Sequence, residues 1–208
     1  RILETRRSQW KGKGKYKDPA APDTTDLPEL PEGWVWSNVD ELAAVVRGAS
    51  PRPAGDPKYF GGPIPWITVG PITAAEGAYL RAVPDSVTEL GKDNSRYIEP
   101  ETLLLTNSGA TLGVPKITLI GGCINDGVAA LLEVGDPLKM YLLHHLSSLT
   151  ESLRRINQGA AQPNLNTNII REILVPLPPS SEQGRIVAEV DRRLSLLRET
   201  EAQIDANM

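Results

Sequence analysis

The stretch that most limits how this chain can fold is its last one. After the proline-rich run Val175-Pro176-Leu177-Pro178-Pro179, residues 180–208 contain no proline. Their apolar residues Val187, Val190, Leu194, Leu197, Ile204 and Met208 fall on alternating steps of three and four, interrupted only at Glu201. That spacing is a heptad seam. Ser180 with Gln183 three residues on predicts a capping box at the helix start. A helix over 181–207 would extend roughly 40 Å at about 1.5 Å per residue, further than one small domain can cover. Its stripe must therefore be buried, either back on its own domain or against a helix from elsewhere. The second is the expectation, the other helix being a preceding part of the chain, a second copy or a partner. No internal repeat is found within these residues.

The rest of the chain has a different texture. With 208 residues, one domain plus an appended helix is the natural reading. Eighteen Gly and eighteen Pro imply many turns, and one Phe among 5% aromatics leaves the core to Val, Ile, Leu and Ala. Strands are predicted at Ile64–Val69, Thr102–Thr106, Lys116–Ile120 and Val128–Val134. Asn38 should cap a short helix carrying Val39, Leu42, Ala43 and Val46. Leu138, Tyr141, Leu142, Leu146, Leu149 and Leu153 have helical spacing across Pro137–Ile156. A further short segment spans Ile169–Val175. Residues 1–33 read as the end of a helix followed by a Pro-rich linker, 34–179 as a globular domain and 180–208 as the seam helix. Because Arg1 falls inside a helix-compatible stretch, a preceding part is expected to be missing.

Charge and motifs then remove whole function classes. The net charge is −4 and the pI about 5.3, whereas a protein that coats nucleic acid without sequence preference is usually basic. Any contact with DNA must use a local face. Charge is segregated: residues 1–17 hold seven positive and one negative, 18–46 seven negative and none positive, and 47–116 seven of each. No segment reaches the roughly 18 apolar residues of a membrane span, and a lone Cys123 excludes a disulfide framework or a cysteine zinc site. A cytoplasmic setting is expected. Gly109-Ala110-Thr111-Leu112-Gly113-Val114-Pro115-Lys116 lacks the spacing and the Gly-Lys-Ser/Thr ending of a phosphate loop. Pro84-Asp85 with Glu89 and Lys92 misses nuclease spacing, since the acid and the Lys would face opposite sides of a strand. His144 and His145 are adjacent and lack a third ligand; one is expected buried, one solvated. Cys123 reads as a small core residue. The reading is a non-enzyme without cofactor or metal.

Several stretches together then carry a resemblance. They are Leu30-Pro31-Glu32-Gly33-Trp34-Val35-Trp36, Ile64-Pro65-Trp66-Ile67, Leu103-Leu104-Leu105-Thr106-Asn107-Ser108-Gly109-Ala110, Gly159-Ala160-Ala161-Gln162-Pro163-Asn164-Leu165-Asn166 and the exit proline run with Glu182-Gln183 and Arg185-Ile186-Val187. In this order they resemble one target recognition domain of the DNA-specificity (S) subunit of type I restriction–modification systems. Ser180-Ser181 departs from the family, where an apolar residue is usual. The resemblance implies an α+β fold: a recognition domain with a mixed, mostly antiparallel twisted sheet and flanking helices, then a long coiled-coil-type C-terminal helix. It implies a non-catalytic subunit that binds double-stranded DNA at a bipartite site and works with methyltransferase (M) and restriction (R) subunits. It also implies pairing with a second recognition half, or as a homodimer, through the C-terminal helix. Two other readings stay open here: a fragment of a single-chain restriction–methylation enzyme, and a coiled-coil scaffold without DNA function.

Members of such a family read different sequences, so shared motifs are poor places for base choice. Base reading is expected instead in the loops at 47–62 and 76–97, from Arg47, Arg52, Lys58, Tyr59, Arg81, Lys92, Asn94 and Arg96. Backbone-contacting or loop-stabilising roles are expected of Asn107, Ser108, Gly109, Lys116, Arg154, Arg155, Asn157, Gln162, Asn164 and Asn166. Val187, Val190, Leu194, Leu197 and Ile204 are the expected helix-partner interface.

Overall fold

The computed structural model describes residues 2–8, 15–156 and 164–206. In chain order its elements begin with α1 (Ile2–Ser8), β1 (Val35–Asn38), α2 (Val39–Leu42), β2 (Ala44–Arg47), β3 (Phe60–Ile67) and α3 (Val69–Ala74). Then come β4 (Tyr79–Leu80), β5 (Ser86–Val87), α4 (Glu89–Asp93), β6 (Arg96–Ile98), β7 (Thr102–Thr106) and β8 (Pro115–Thr118). The chain closes with β9 (Gly122–Ile124), β10 (Val128–Leu132), α5 (Leu138–Ile156), α6 (Thr167–Arg171), β11 (Leu174–Leu177) and α7 (Ser180–Ala206). The fold is α+β and its strand pairing is mainly antiparallel, as expected. It is divided among three sheets: β1-β11, β2-β10-β7-β8-β4 and β5-β3-β9-β6. Only β3 with β9 and β4 with β8 pair in parallel among the described strands.

The run Leu103-Leu104-Leu105 is explained by a sheet covered on both faces. Successive side chains of a strand point to opposite sides. Leu103 and Leu105 of β7 and Ala129 and Leu131 of β10 therefore pack against Leu138, Leu142, Leu146 and Leu153 of α5. Leu104, Val128 and Ala130 turn the other way, onto Ile67, Ile72, Ile98 and Ile124. A smaller cluster joins Ile64, Trp66, Val87 and Cys123, with the Phe60 and Trp66 rings edge to face at 5.9 Å. Cys123 is thus a buried core residue, and burial raises its thiol pKa.

Three local expectations need correction. Asn38 does cap α2, its side chain accepting the Glu41 N–H at 3.0 Å, but the helix stops at Leu42 and Val46 lies in a strand. Pairing of Ala44–Arg47 with β10 wins there, helped by two β-branched valines. The Ser180–Gln183 capping box does not form. The Gln183 amide donates to the Pro178 carbonyl at 2.9 Å, and its backbone N–H donates to Pro179. Neither histidine of α5 is solvated: His145 Nε2 donates to the Leu174 carbonyl at 2.8 Å, and His144 Nε2 lies 3.0 Å from the Asp191 carboxylate.

β1 and β11 bring the start of the domain to its end, pairing Val35 with Leu177 and Asn38 with Leu174. The base of α7 is thereby seated on the domain, where Ile186 and Val187 pack against the main core. Further along, the same stripe is open. Leu194 is 37%, Leu197 58% and Ile204 54% exposed. The seam is thus shared: its first residues serve the domain, and the later ones face outward. Met208 lies outside the described residues.

Candidate nucleic-acid interface

The loop at 47–62 leaves the five-stranded sheet at the end of β2 and enters the four-stranded sheet at β3. The turn at 125–127 makes the reverse crossing, from β9 to β10, alongside it. The two run so close that a Cβ on Gly48 would land on the carbonyl oxygens of Ile124 and Asn125. Gly48 N–H donates to Val128 and Ala49 N–H to Ile124. Only a residue without a side chain fits.

The second loop closes against the first. Thr88 Oγ1 donates to the Lys58 carbonyl at 2.8 Å, and Thr88 N–H donates to Tyr59. Ser95 Oγ donates to Ala49 at 2.6 Å, and Arg96 Nε to the Arg47 carbonyl at 2.8 Å. Arg47, Arg52, Lys58 and Arg96 are exposed along this seam, and Tyr59 and Lys92 are half-buried. Lys58 Nζ sits 5.3 Å from the centre of the Tyr59 ring, and Lys92 Nζ 4.8 Å from that of Tyr97. Asn94 closes α4 and donates to the Leu90 carbonyl at 2.8 Å. Arg81 belongs elsewhere. It lies over the Tyr79 ring at 5.7 Å and borders a cleft of about 510 Å³ together with Lys116, His144, Asp191 and Arg198.

The expected backbone contacts divide further. Lys116 is 9% exposed and its Nζ donates to the Gly77 carbonyl. Burial, reinforced by Arg198, lowers its pKa. The ammonium expected at a phosphate is thus turned inward, onto the protein's own backbone. Asn107 is fully buried at the end of β7, and its backbone takes part in bonds to Gly127 and Leu165. Both polar atoms of its side chain are without a hydrogen-bond partner among the described residues. Ser108 forms a bridge with Asn164. Gly109, at φ 81°, supplies a left-handed turn residue on the surface. Asn166 spends its side-chain oxygen capping α6, accepting from Asn168 and Ile169. Arg154 Nε donates to the Leu112 carbonyl at 3.2 Å, while Arg155 is exposed. Asn157 and Gln162 lie outside the described residues.

Sequence reasoning missed Asp126. Asn125-Asp126-Gly127 reads locally as nothing more than a turn, yet four contacts converge on Asp126. Its carboxylate accepts from Ser50 Oγ at 2.5 Å and lies 3.7 Å from Arg52 Nη2. Its backbone carbonyl accepts from Arg47 Nε at 2.7 Å, and its N–H donates to Ser50 Oγ at 3.3 Å. The described residues contain no cluster of three or more metal-ligating side chains. No helix among them is long and apolar enough to cross a membrane.

Comparison with known proteins adds a family to this geometry. Residues 31–206 match the model of the type I restriction modification DNA specificity domain. A specificity subunit of the type I restriction enzyme MjaIX from Methanocaldococcus jannaschii is 27% identical over 165 residues, covering 78% of this chain and 38% of that protein. Among solved structures, the HsdS subunit from Thermoanaerobacter tengcongensis superposes with a TM-score of 0.68 at 22% identity, over 86% of this chain and 42% of that one. A chain from a study of assembly and conformational transition in a type I R-M system gives 0.69 at 22% identity, over 88% and 44%. The S subunit from M. genitalium gives 0.52 at 17% identity, over 83% and 43%. These structural likenesses concern the fold, and the chain spans less than half the length of each of these relatives.

Proposed function

This chain belongs to the type I restriction modification DNA specificity family, and on that footing we propose that it reads one half of a bipartite DNA site for a separate methyltransferase and restriction machinery. The observation that carries the reading is the closure of the loop at 47–62 against 86–97. That closure gathers Arg47, Arg52, Lys58 and Arg96 along one exposed seam, while the chain as a whole carries −4. A local cationic face on an acidic protein suits sequence-specific binding better than general coating. Arg with guanine and Asn with adenine are the side-chain pairs that discriminate bases in the major groove. The chemistry of methylation and cleavage belongs to the partners.

The outward half of α7 serves assembly. Leu194, Leu197 and Ile204 lie on one stripe; we assign them to a helix of a second recognition half or a second copy, and the neighbouring faces to the M subunit. Two such halves related by symmetry would read a palindromic split site, because protein symmetry is mirrored in the DNA. Methylome sequencing of a host that carries the intact locus tests the proposal. A split methylated-adenine motif, lost when Arg47 and Arg96 are replaced together, is the expected result. Methylation that is unchanged by those replacements would refute the assignment of base reading to this seam.

A further inference from the structure

We propose that Asp126 is a positioning residue for DNA reading, holding the 47–52 segment in the one geometry that presents its arginines. The inference rests on the function proposed above. Asp126 itself need not touch DNA. Its bonds to Ser50 are reciprocal, since Ser50 Oγ donates to the carboxylate at 2.5 Å and accepts from the Asp126 N–H at 3.3 Å. A hydroxyl held from two sides has one orientation, and a hydrogen bond to a carboxylate is about twice as strong as a neutral one. On the same residue, the Asp126 carbonyl accepts from Arg47 Nε at 2.7 Å. Arg47 in turn holds Arg96 through its own carbonyl, at 2.8 Å. Asp126 therefore sits at the root of a chain running through Arg47 to Arg96, across three separate stretches of sequence.

The ion pair to Arg52 adds little, because the Arg52 side chain is exposed, that of Asp126 is partly exposed, and the two charges are 3.7 Å apart. It is the hydrogen-bond geometry, not the charge, that carries the proposal. Two replacements separate the two. Asp126→Asn keeps an oxygen for Ser50 and the backbone contacts but removes the charge. Asp126→Ala removes the side-chain oxygen as well as the charge, while the backbone bonds to Arg47 and Ser50 stay. Ser50→Ala removes the hydroxyl from a half-buried loop position and serves where Asp126→Ala folds poorly.

The test uses the intact subunit assembled with its methyltransferase partner, titrated with a duplex selected from a random-sequence pool and with a scrambled duplex at several salt concentrations. Asp126→Ala and Ser50→Ala are expected to lower the affinity ratio between the two duplexes about tenfold, comparable to losing one good base contact. The salt slope, which counts phosphate contacts, should stay unchanged. Asp126→Asn should keep the ratio within about threefold of the unaltered protein, less than the tenfold loss expected when the base geometry is lost. The proposal is overturned if Asp126→Asn and Asp126→Ala behave alike, both raising affinity for the two duplexes equally, because Asp126 would then act only as a charge. It is also overturned if Ser50→Ala and Asp126→Ala leave the ratio unchanged while Arg96→Ala lowers it. Should Arg96→Ala and Arg47→Ala leave the ratio unchanged as well, the base-reading assignment fails first and takes this proposal with it.

Discussion

Trp34 Nε1 donates to the Glu182 carboxylate at 3.0 Å, across 148 residues of sequence. One residue opens the domain and the other stands in the first turn of α7, so this bond fastens the C-terminal helix to the place where the domain begins. It also gives a physical reason for two distant motifs, Pro31-Glu32-Gly33-Trp34 and Glu182-Gln183, to occur in one chain. Trp34→Phe keeps an aromatic ring, though a smaller one, and removes the donor. The expected loss is about 1–2 kcal/mol, typical of a hydrogen bond to a charged acceptor that is left partly buried. Urea denaturation measures it; a midpoint equal to that of the unaltered protein would show that the bond does not hold the helix base.

The two halves of α7 should respond differently to substitution. Val187 packs on the domain's own core, so Val187→Ala should cost about 1 kcal/mol of domain stability. Leu197→Glu with Ile204→Glu alters residues that are 58% and 54% exposed, and should change that stability by no more than about 0.5 kcal/mol. The double variant should nevertheless abolish helix pairing, read as a change in sedimentation. Pairing that survives two glutamates would remove this edge from the interface.

Lys116 and Arg96 provide a contrast in DNA binding. Arg96→Ala should weaken binding to the cognate half-site selectively, by about 1–3 kcal/mol if its guanidinium meets a base edge. Lys116→Met should leave the salt dependence of binding unchanged, since the ammonium is already turned to the Gly77 carbonyl. Duplex titrations at several salt concentrations distinguish the two. A slope reduced by about one in Lys116→Met would return that lysine to the phosphate contacts.

Acidification should loosen the seat of α5 on β11. Burial lowers the His145 pKa below the ordinary 6.5, with the bond to the Leu174 carbonyl opposing the shift. The folded form therefore keeps His145 neutral while the unfolded chain takes up a proton. The stability this contributes is present above pH 6.5 and is lost as pH falls through the lower, folded pKa. The slope of stability against pH just below 6.5 should flatten in His145→Gln, which has an amide donor but no titration. Denaturation midpoints across that window check it, and parallel curves for the two proteins would exclude His145 as the source.

Much of this molecule was legible in the sequence because the signals were local. The strand at Thr102–Thr106, the apolar spacing of α5 and the cap at Asn38 each need only a few neighbouring residues to act, and each appears in the structure. The heptad seam of α7 was equally readable, as the spacing of side chains on a helix does not depend on what it packs against. What covers each part of that seam was not readable. Val187 and Leu194 are alike as letters, and only the pairing of β1 with β11 decides that one is seated on the domain while the other is exposed.

The candidate site divides along the same line. The chain itself supplied arginines and lysines in two loops, and composition confined any DNA contact to a local face. Tertiary structure decided which of them meet: Arg47 and Arg96 are joined, Arg81 borders another cleft, and Lys116 turns inward. It alone revealed Asp126, whose partners Arg47, Ser50 and Arg52 lie more than seventy residues earlier. Propensity and periodicity act over a few residues and can be read in order along a chain. A hydrogen bond between distant residues depends on where the packed sheets place their ends, and no local pattern records that.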